Sequence, residues 1–391
     1  MFTPSFRSLR HLALASIVLC GLAGTAHAED TIKIGIVLPM TGGLSAIGRQ
    51  VMAGVRLFQA QNGTTVAGKT VSVIVKDDAG QPDAAKRLAQ ELIVNDKVGV
   101  LGLGLTPSAL ATAPLATEAK IAGVVMVSGT RIVTDRSPFF VRTSFTLGSQ
   151  SAVMANYAAK TGSKRALILH SDWAPGAEAA AAFAENFAKA GGEIVETLKV
   201  PLANPDFAPF LQRVRDAKPD TLFVFVPTGQ AGTFAKQFSE RGLDKAGIKL
   251  IGTGDITDDD DLPGMGDAVL GTITAGVYAP THASAVNTAF VQAFMKANAF
   301  RPNHIALGGY DGMRLIYAAL AKTAGETDGE KLVAAMKGER WESPRGPIAI
   351  DPQSREIVQT IYIRKVEKIA GELQNVEFET FPPDAAAQPA K

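Results

Sequence analysis

Four β-branched runs begin the regular part of the chain, at residues 32–38 (IKIGIVL), 70–75 (TVSVIV), 98–103 (VGVLGL) and 122–127 (AGVVMV). Their nearly continuous apolar character is that of strands covered on both faces, as in a parallel sheet. Segments of helical period lie between them. Residues 49–62 bring Val51, Val55 and Phe58 to one face, and residues 82–95 start at Pro82 and align Ala85, Leu88 and Leu92. This alternation predicts a βαβ series. The pattern restarts with strands expected at 166–169, 194–200, 221–226 and 249–252, separated by helices near 176–190, 206–217 and 229–241. Long helices follow at 284–298 and 305–323, then late strands at 346–350 and 357–366, and a Pro/Ala-rich end from 382 that reads as a frayed tail. The expected fold is α/β, with two similar doubly wound halves and no tandem repeat of short period.

The first 28 residues carry Arg7 and Arg10, an apolar run over 12–24 and the small-residue pattern Ala26-His27-Ala28, which together predict a cleaved signal peptide and an extracytoplasmic protein. Leu19 stands where lipidation would want a small residue, so Cys20 reads as part of the discarded stretch. Removing 28 of 391 residues leaves 363, and loss of the two arginines moves the formal charge from +1 to −1. A balance this close to zero argues against a nucleic-acid footprint or an anionic-lipid surface. Cys20 is the chain's single cysteine, so the mature part has neither disulfides nor thiolate metal sites.

The stretch 63–70 (GTTVAGKT) matches a phosphate-loop string letter for letter. Such a loop must follow a strand and open a helix so that backbone N–H groups face the phosphates. Here a helix precedes and a strand follows, and the glycines read as a helix-to-strand turn. His170, His282 and His304 fall in separate elements without paired spacing, which leaves metal and histidine-based catalysis unsupported. Asp258 to Asp261 lack the spacing of a calcium loop and read as a solvated loop with capping duty.

Binding sites of open α/β sheets lie beyond the carboxyl ends of their strands. After 98–103, Leu105 and Thr106 precede Pro107 and Ser108, with Thr106 as a helix cap and Pro107 in first position, an arrangement that would aim N–H groups and two hydroxyls at an anion. After 122–127 come Ser128, Gly129, Thr130 and Arg131, the last able to pair with a carboxylate or to sit in solvent. Trp173, beyond the strand at 166–169, offers a flat surface to an apolar or aromatic ligand. Asp255, after 249–252, can accept from a ligand hydroxyl or ammonium, or cap the next segment.

Leu38-Pro39-Met40-Thr41-Gly42, Asp77-Asp78, Tyr310-Asp311-Gly312 and Gly346-Pro347 before Asp351 resemble, in that order, the branched-chain amino-acid-binding family of periplasmic receptors. The resemblance covers essentially the whole mature chain. It implies a type I periplasmic binding protein: two Rossmann-like lobes joined by three hinge crossovers, serving an inner-membrane ABC permease. The lobes would be 29–145 with 277–356 and 146–276 with 357–380, followed by a flexible tail at 381–391, with hinges near 145, 276 and 356. Carried over by position, the ligand loops fall on Ile47, Leu105, Thr106, Ser128, Thr130, Pro175, Pro227 and Gly254.

Amino-acid receptors of that family place aromatics where Ile47, Pro175 and Pro227 stand, and a carboxylate for the α-ammonium where Gly254 stands. Asp255 is one residue away and would need a register shift to replace it. A buried ammonium without a counter-charge is heavily penalised. The chain is similar instead to the subgroup that takes up aromatic acids such as hydroxybenzoates, with Trp173 and Tyr278 as flat partners and a small carboxylate as ligand. A monomer with no cofactor, metal or nucleic-acid partner and no enzymatic activity is expected. An amino-acid receptor, or a sensor that passes its closed state to a regulatory partner, is the alternative.

Overall fold

The chain begins its regular structure with β1 (Thr31–Leu38), α1 (Ser45–Asn62), the short β2 (Thr65–Val66), β3 (Lys69–Asp77), α2 (Pro82–Val94), β4 (Val100–Leu103), α3 (Thr106–Glu118), β5 (Ala122–Val125), a single turn α4 (Ile132–Asp135) and β6 (Phe140–Arg142). The second series runs α5 (Leu147–Lys160), β7 (Arg165–Ser171), α6 (Ala174–Lys189), β8 (Glu193–Val200), α7 (Ala208–Ala217), β9 (Thr221–Phe225), α8 (Ala231–Glu240), β10 (Lys249–Thr253) and β11 (Ile273–Gly276). Then come α9 (Ala285–Ala297), α10 (His304–Lys322), α11 (Gly329–Met336), β12 (Arg340–Ser343), β13 (Gly346–Ile350), β14 (Ile357–Val358), β15 (Ile361–Ile369) and β16 (Glu372–Phe381). This computed structural model describes residues 1–2 and 31–383. Most of the expected signal peptide and the end of the expected tail lie outside the described residues.

Two large sheets carry the fold, ordered β2-β3-β1-β4-β5-β6 and β16-β15-β11-β10-β9-β7-β8. The strands of the α/β series pair in parallel: Ile34, for example, faces Val73 on one side and Val100 on the other. The order reverses at β1/β4 in the first sheet and at β7/β9 in the second, and these switch points are where loops diverge to leave a crevice. Helices α1 and α10 share the core of the first sheet and pack against each other at backbone distance. A Cβ on Gly54 would stand 2.0 Å from the Ala306 carbonyl oxygen, and one on Gly309 would stand 2.3 Å from that of Val51, so only glycine fits at this crossing. Among the described residues no helix is long and apolar enough to cross a membrane.

The differences from expectation lie in short or mixed elements. β6 and β11 have three and four residues and offer too little pattern to read. β16 is amphipathic because it forms the edge of its sheet against β15 alone. Residues 357–366 do not form one strand: β14 joins a three-stranded sheet with β12 and β13, while β15 enters the second large sheet, so the chain changes sheets between them. The phosphate-loop string runs from the end of α1, where Gly63 caps the helix, into a hairpin of Thr65–Val66 against Lys69–Thr70, with Gly63 and Gly68 both at φ +76°, so a helix-to-strand turn forms as expected and strands follow it.

A buried ion pair secures the crossover region. Asp311 on α10 accepts from Arg345 Nη2 at 2.7 Å, from Trp341 Nε1 at 2.9 Å and from Ser343 Oγ at 2.9 Å. Arg345 in turn donates to the carbonyls of Thr143 (3.0 Å) and Ser144 (3.2 Å) and to Gln359 Oε1 (2.9 Å). Both charged groups are essentially inaccessible. Removing one partner of such a pair leaves an uncompensated buried charge, so Asp311→Ala should lose about 3–5 kcal/mol of stability. Urea unfolding followed by circular dichroism measures it, and a loss below about 1 kcal/mol would show that the pair behaves like a surface bridge.

Candidate functional site

The tips of both sheets converge on one cavity, lined by Ile47, Leu105, Thr106, Val127, Ser128, Gly129, Phe145, Leu147, Trp173, Pro175, Phe225, Pro227, Thr228, Asp255 and Ile305. Most of the lining is apolar or aromatic, as is usual for small-molecule sites. Of the thirteen residues singled out from the sequence, nine line it: Ile47, Leu105, Thr106, Ser128, Gly129, Trp173, Pro175, Pro227 and Asp255.

The first wall is a surface of backbone donors. Helix α3 starts at Thr106 with Leu105 as its cap residue and no side-chain cap, so Thr106 is not the cap and Pro107 takes the second position. The hydroxyls expected to meet an anion are spent inside the protein: Thr106 Oγ1 donates to Thr130 Oγ1 (3.1 Å), Ser108 Oγ to Asp78 Oδ2 (2.6 Å) and Ser128 Oγ to the Gly104 carbonyl (2.6 Å). What remains are N–H groups. Those of the first turn of α3 have no intrahelical partner, and among the described residues no hydrogen bond takes the N–H of Ser128, Gly129 or Thr130.

Arg142 explains the orientation of that second loop. Fully buried, it donates through Nη2 to the Thr130 carbonyl at 2.8 Å, through Nη1 to that of Ser128, and through Nε to Glu356 at 2.6 Å. The loop's carbonyls therefore face the protein. Arg131, expected at the ligand, is exposed and absent from the cavity wall, where its backbone N–H donates to Glu178 on α6 (3.2 Å). The arginine that organises this wall is Arg142, and it does so from behind. Burial raises the Glu178 carboxyl above its ordinary value. Thr130 is buried one step behind the wall as the acceptor for Thr106.

The second wall holds Trp173, Pro175, Phe225, Pro227, Thr228 and Asp255. Trp173 packs against the cores of both halves, and its buried Nε1 has no hydrogen-bond partner. Gly254 does not line the cavity: its carbonyl accepts from Arg364 Nη2 (3.1 Å), and a Cβ there would stand 2.8 Å from that same atom. No register shift brings Asp255 in. The strand ends at Thr253, and a 3-10 turn over Gly254–Thr257 presents Asp255 to the cavity, with its Oδ2 accepting from Thr253 Oγ1 at 2.9 Å. Tyr278 is also misplaced by the sequence reading. It is fully buried beside Phe290, with its hydroxyl donating to Asn287 Oδ1 (3.0 Å), and faces no ligand.

The acidic run departs furthest from expectation, since Asp258 and Asp259 are buried. Asp258 accepts from Asn303 Nδ2 (2.9 Å) and Thr228 Oγ1 (3.1 Å), Asp259 from Asn375 Nδ2 (2.7 Å), Asp260 from Arg49 and Asp261 from the Gly229 N–H (2.9 Å). His304, at the start of α10, lies between two carboxylates, its Nε2 3.7 Å from Asp255 Oδ1 and its Nδ1 3.9 Å from Asp258 Oδ2. The other two described histidines have partners elsewhere: His170 Nδ1 lies 2.9 Å from the Ser171 carbonyl, and His282 pairs with Glu377 at 2.7 Å.

The sequence reading missed Val127, Phe145, Leu147, Phe225, Thr228 and Ile305. Val127, Phe225 and Thr228 were accessible, because each adjoins or ends a recognised strand. Phe145 and Leu147 on the crossover after β6, and Ile305 on α10, are brought in only by the tertiary fold.

Residues 31–371 match the family model described as periplasmic binding protein. The chain belongs to that family of solute-binding proteins. It is 38% identical over 379 residues to the Leu/Ile/Val-binding protein homolog 6 of Brucella melitensis biotype 1, covering 95% of this chain and 97% of the relative. Among solved structures it is 60% identical to an ABC-transporter solute-binding protein of Rhodopseudomonas palustris BisB5 in complex with 3,4-dihydroxybenzoic acid, with a TM-score of 0.90 and coverage of 91% and 98%. A counterpart from Rhodopseudomonas palustris HaA2 in complex with p-hydroxybenzoic acid is 40% identical, with a TM-score of 0.88 and coverage of 90% and 98%. The architecture is that of type I periplasmic binding proteins, as expected from the sequence.

Burial raises the Asp259 carboxyl from 3.8 to about 6, against the opposing effect of Arg364. The folded state thus holds this proton more tightly than the unfolded state. The associated stabilisation is complete below 3.8 and is lost as pH rises through about 6. Asp259→Asn, which keeps an acceptor for Asn375, should flatten the pH dependence of stability between about pH 4 and 6. Urea midpoints measured across that range for both proteins test the assignment, and parallel curves would refute it.

Proposed function

We propose that this chain is the extracytoplasmic solute-binding component of an ABC-type importer and that it captures a small aromatic carboxylic acid, hydroxybenzoate-like, between its two halves. The observation that carries the reading is the cavity lining itself: apolar and aromatic side chains, with unpartnered backbone N–H groups along one wall. Such donors, with the partial positive charge of a helix N-terminus, suit a carboxylate. The apolar remainder suits its ring, with Trp173 as a flat partner. The ligands bound by the relatives from Rhodopseudomonas palustris support the same chemistry.

In this reading the lobes are 29–145 with 277–356 and 146–276 with 357–380, and they rotate about the crossovers near 145, 276 and 356. The Arg345 contacts to Thr143, Ser144 and Gln359 support that hinge position, because they brace two of the crossovers together. The protein acts as a monomer after export to the periplasm, and the closed form is what an inner-membrane permease receives. No bond chemistry is involved.

Trp173 lines the cavity, whereas the other tryptophan, Trp341, is buried against Asp311. Titration with 4-hydroxybenzoate should therefore give a saturable change in tryptophan emission that Trp173→Phe abolishes. Leucine should give none. Saturation by leucine together with silence toward aromatic acids would overturn the assignment.

A further inference from the structure

The acidic run after β10 divides its four carboxylates between the two halves of the molecule. Asp259 and Asp261 turn to their own half, Asp259 to Asn375 and Arg364 and Asp261 to the Gly229 N–H. Asp258 and Asp260 reach across. Asp258 accepts from Asn303 Nδ2 with both oxygens, at 3.0 and 2.9 Å, and Asp260 pairs with Arg49 of α1. Ile256 and Leu262 sit in the core of the second sheet and anchor the run at either end.

Each receiving group is held by its own half. Asn303 is fully buried, and its Oδ1 accepts from the N–H groups of Ile305 and Ala306 at 3.0 Å, which caps α10. The cap fixes the amide, so its Nδ2 is left to face Asp258. A carboxylate there also meets the N-terminus of a 19-residue helix, a favourable place for negative charge. The remaining partners of Asp258, Thr228 Oγ1 at 3.1 Å and the Asp260 N–H at 3.0 Å, are donors as well. Burial and the neighbouring Asp261 raise its carboxyl above the ordinary value, and the Asn303 and Asp260 donors act against that rise. Arg49 lies over the Phe300 ring, 4.2 Å from its centroid, which holds the guanidinium beside Asp260. None of Arg49, Asn303, Asp258 or Asp260 lines the cavity.

We infer that Asn303 and Arg49 are positioning residues for ligand capture: with Asp258 and Asp260 they form a latch outside the cavity that favours the closed arrangement with or without a guest and slows the release of a bound one. This rests on the hinge reading proposed above, in which the two pairs join opposite lobes, and it assigns part of closure to groups that are absent from the cavity wall. On that reading a guest leaves when the halves part, so each contact that the open form lacks lengthens its stay.

Asn303→Asp tests the latch without removing the cap, because aspartate caps a helix as well as asparagine does. It replaces the Nδ2 donor by an oxygen and sets two carboxylates face to face. Adding Asp258→Asn restores a donor and an acceptor with their positions exchanged. The readouts are small-angle scattering of the full mature chain and stopped-flow release of 4-hydroxybenzoate, both at about pH 8 to disfavour a proton shared by the two carboxyls. Asn303→Asp should enlarge the radius of gyration of the ligand-free chain and speed release at least about tenfold, and the double variant should reverse both changes. If Asn303→Asp matches the unaltered chain in both, or if Asp258→Asn fails to reverse them, the latch is overturned; a radius that still changes with saturating ligand then leaves the hinge standing. If neither ligand nor variant changes the radius, the hinge reading fails and the latch with it. If 4-hydroxybenzoate does not bind, the aromatic-acid reading fails and the radii alone decide the latch. Should Asn303→Asp not fold, Arg49→Glu, at a half-exposed side chain, makes the same comparison against Asp260.

Discussion

A guanidinium removed from water needs an acceptor for each of its N–H groups, and three buried arginines of this chain meet that demand largely with backbone carbonyls. Arg142 takes the carbonyls of Ser128 and Thr130, Arg345 those of Thr143 and Ser144, and Arg364 those of Gly254 and Tyr278. Each arginine lies behind a loop or crossover next to the cleft and draws its carbonyls inward. A peptide unit whose carbonyl points into the protein tends to present its N–H the other way. Of the wall's donors, the Gly129 N–H shares its peptide unit with the Ser128 carbonyl that Arg142 takes, and the Thr130 N–H shares its unit with the Gly129 carbonyl that accepts from the Leu147 N–H at 2.8 Å. The cost of burying the Arg142 charge is offset by Glu356 at 2.6 Å.

This construction separates charge from recognition. Among the described residues no Lys or Arg lines the cavity, so an anion bound there would be held by dipoles fixed in place before it arrives, with Arg142 contributing its field through the loop. Fixed dipoles in a poorly solvated site act more strongly than the same groups in water, and they lose little side-chain entropy on binding. The hydroxyls of Thr106, Ser108 and Ser128 serve the same end, since each ties a loop tip to a neighbour: Thr130, Asp78 and the Gly104 carbonyl. They stiffen the wall and leave recognition to the backbone.

The α/β alternation was legible because buried parallel strands are apolar throughout, and the switch-point rule then located most of the wall from strand ends alone. Side-chain roles were harder to read. Arg131 and Arg142 are both arginines near the same loop, and nothing local distinguishes the exposed one from the buried one; strand β6, which carries Arg142, is three residues long and has no readable period. Tyr278 follows a strand just as Trp173 does, but α9 covers it through Phe290 and Asn287, a contact that depends on tertiary packing. Gly254 looked like the loss of a carboxylate. The neighbouring Arg364 accounts for the glycine, and the 3-10 turn accounts for Asp255.

The acidic run shows why counting charges fails where partners come from far along the chain. In a loop that turns at each residue, successive carboxylates point different ways, and each finds a donor remote in sequence. Asp259 is satisfied from β15 and β16 of its own sheet through Arg364 and Asn375. Asp258 and Asp260 instead rely on Asn303, at the cap of α10, and on Arg49 of α1, both of which pack with the first sheet. On the hinge reading proposed above, opening would exchange the donors of those two carboxylates for water, and closing would take that water away again. A ligand that touches both walls would favour the closed arrangement through contacts that the open one lacks.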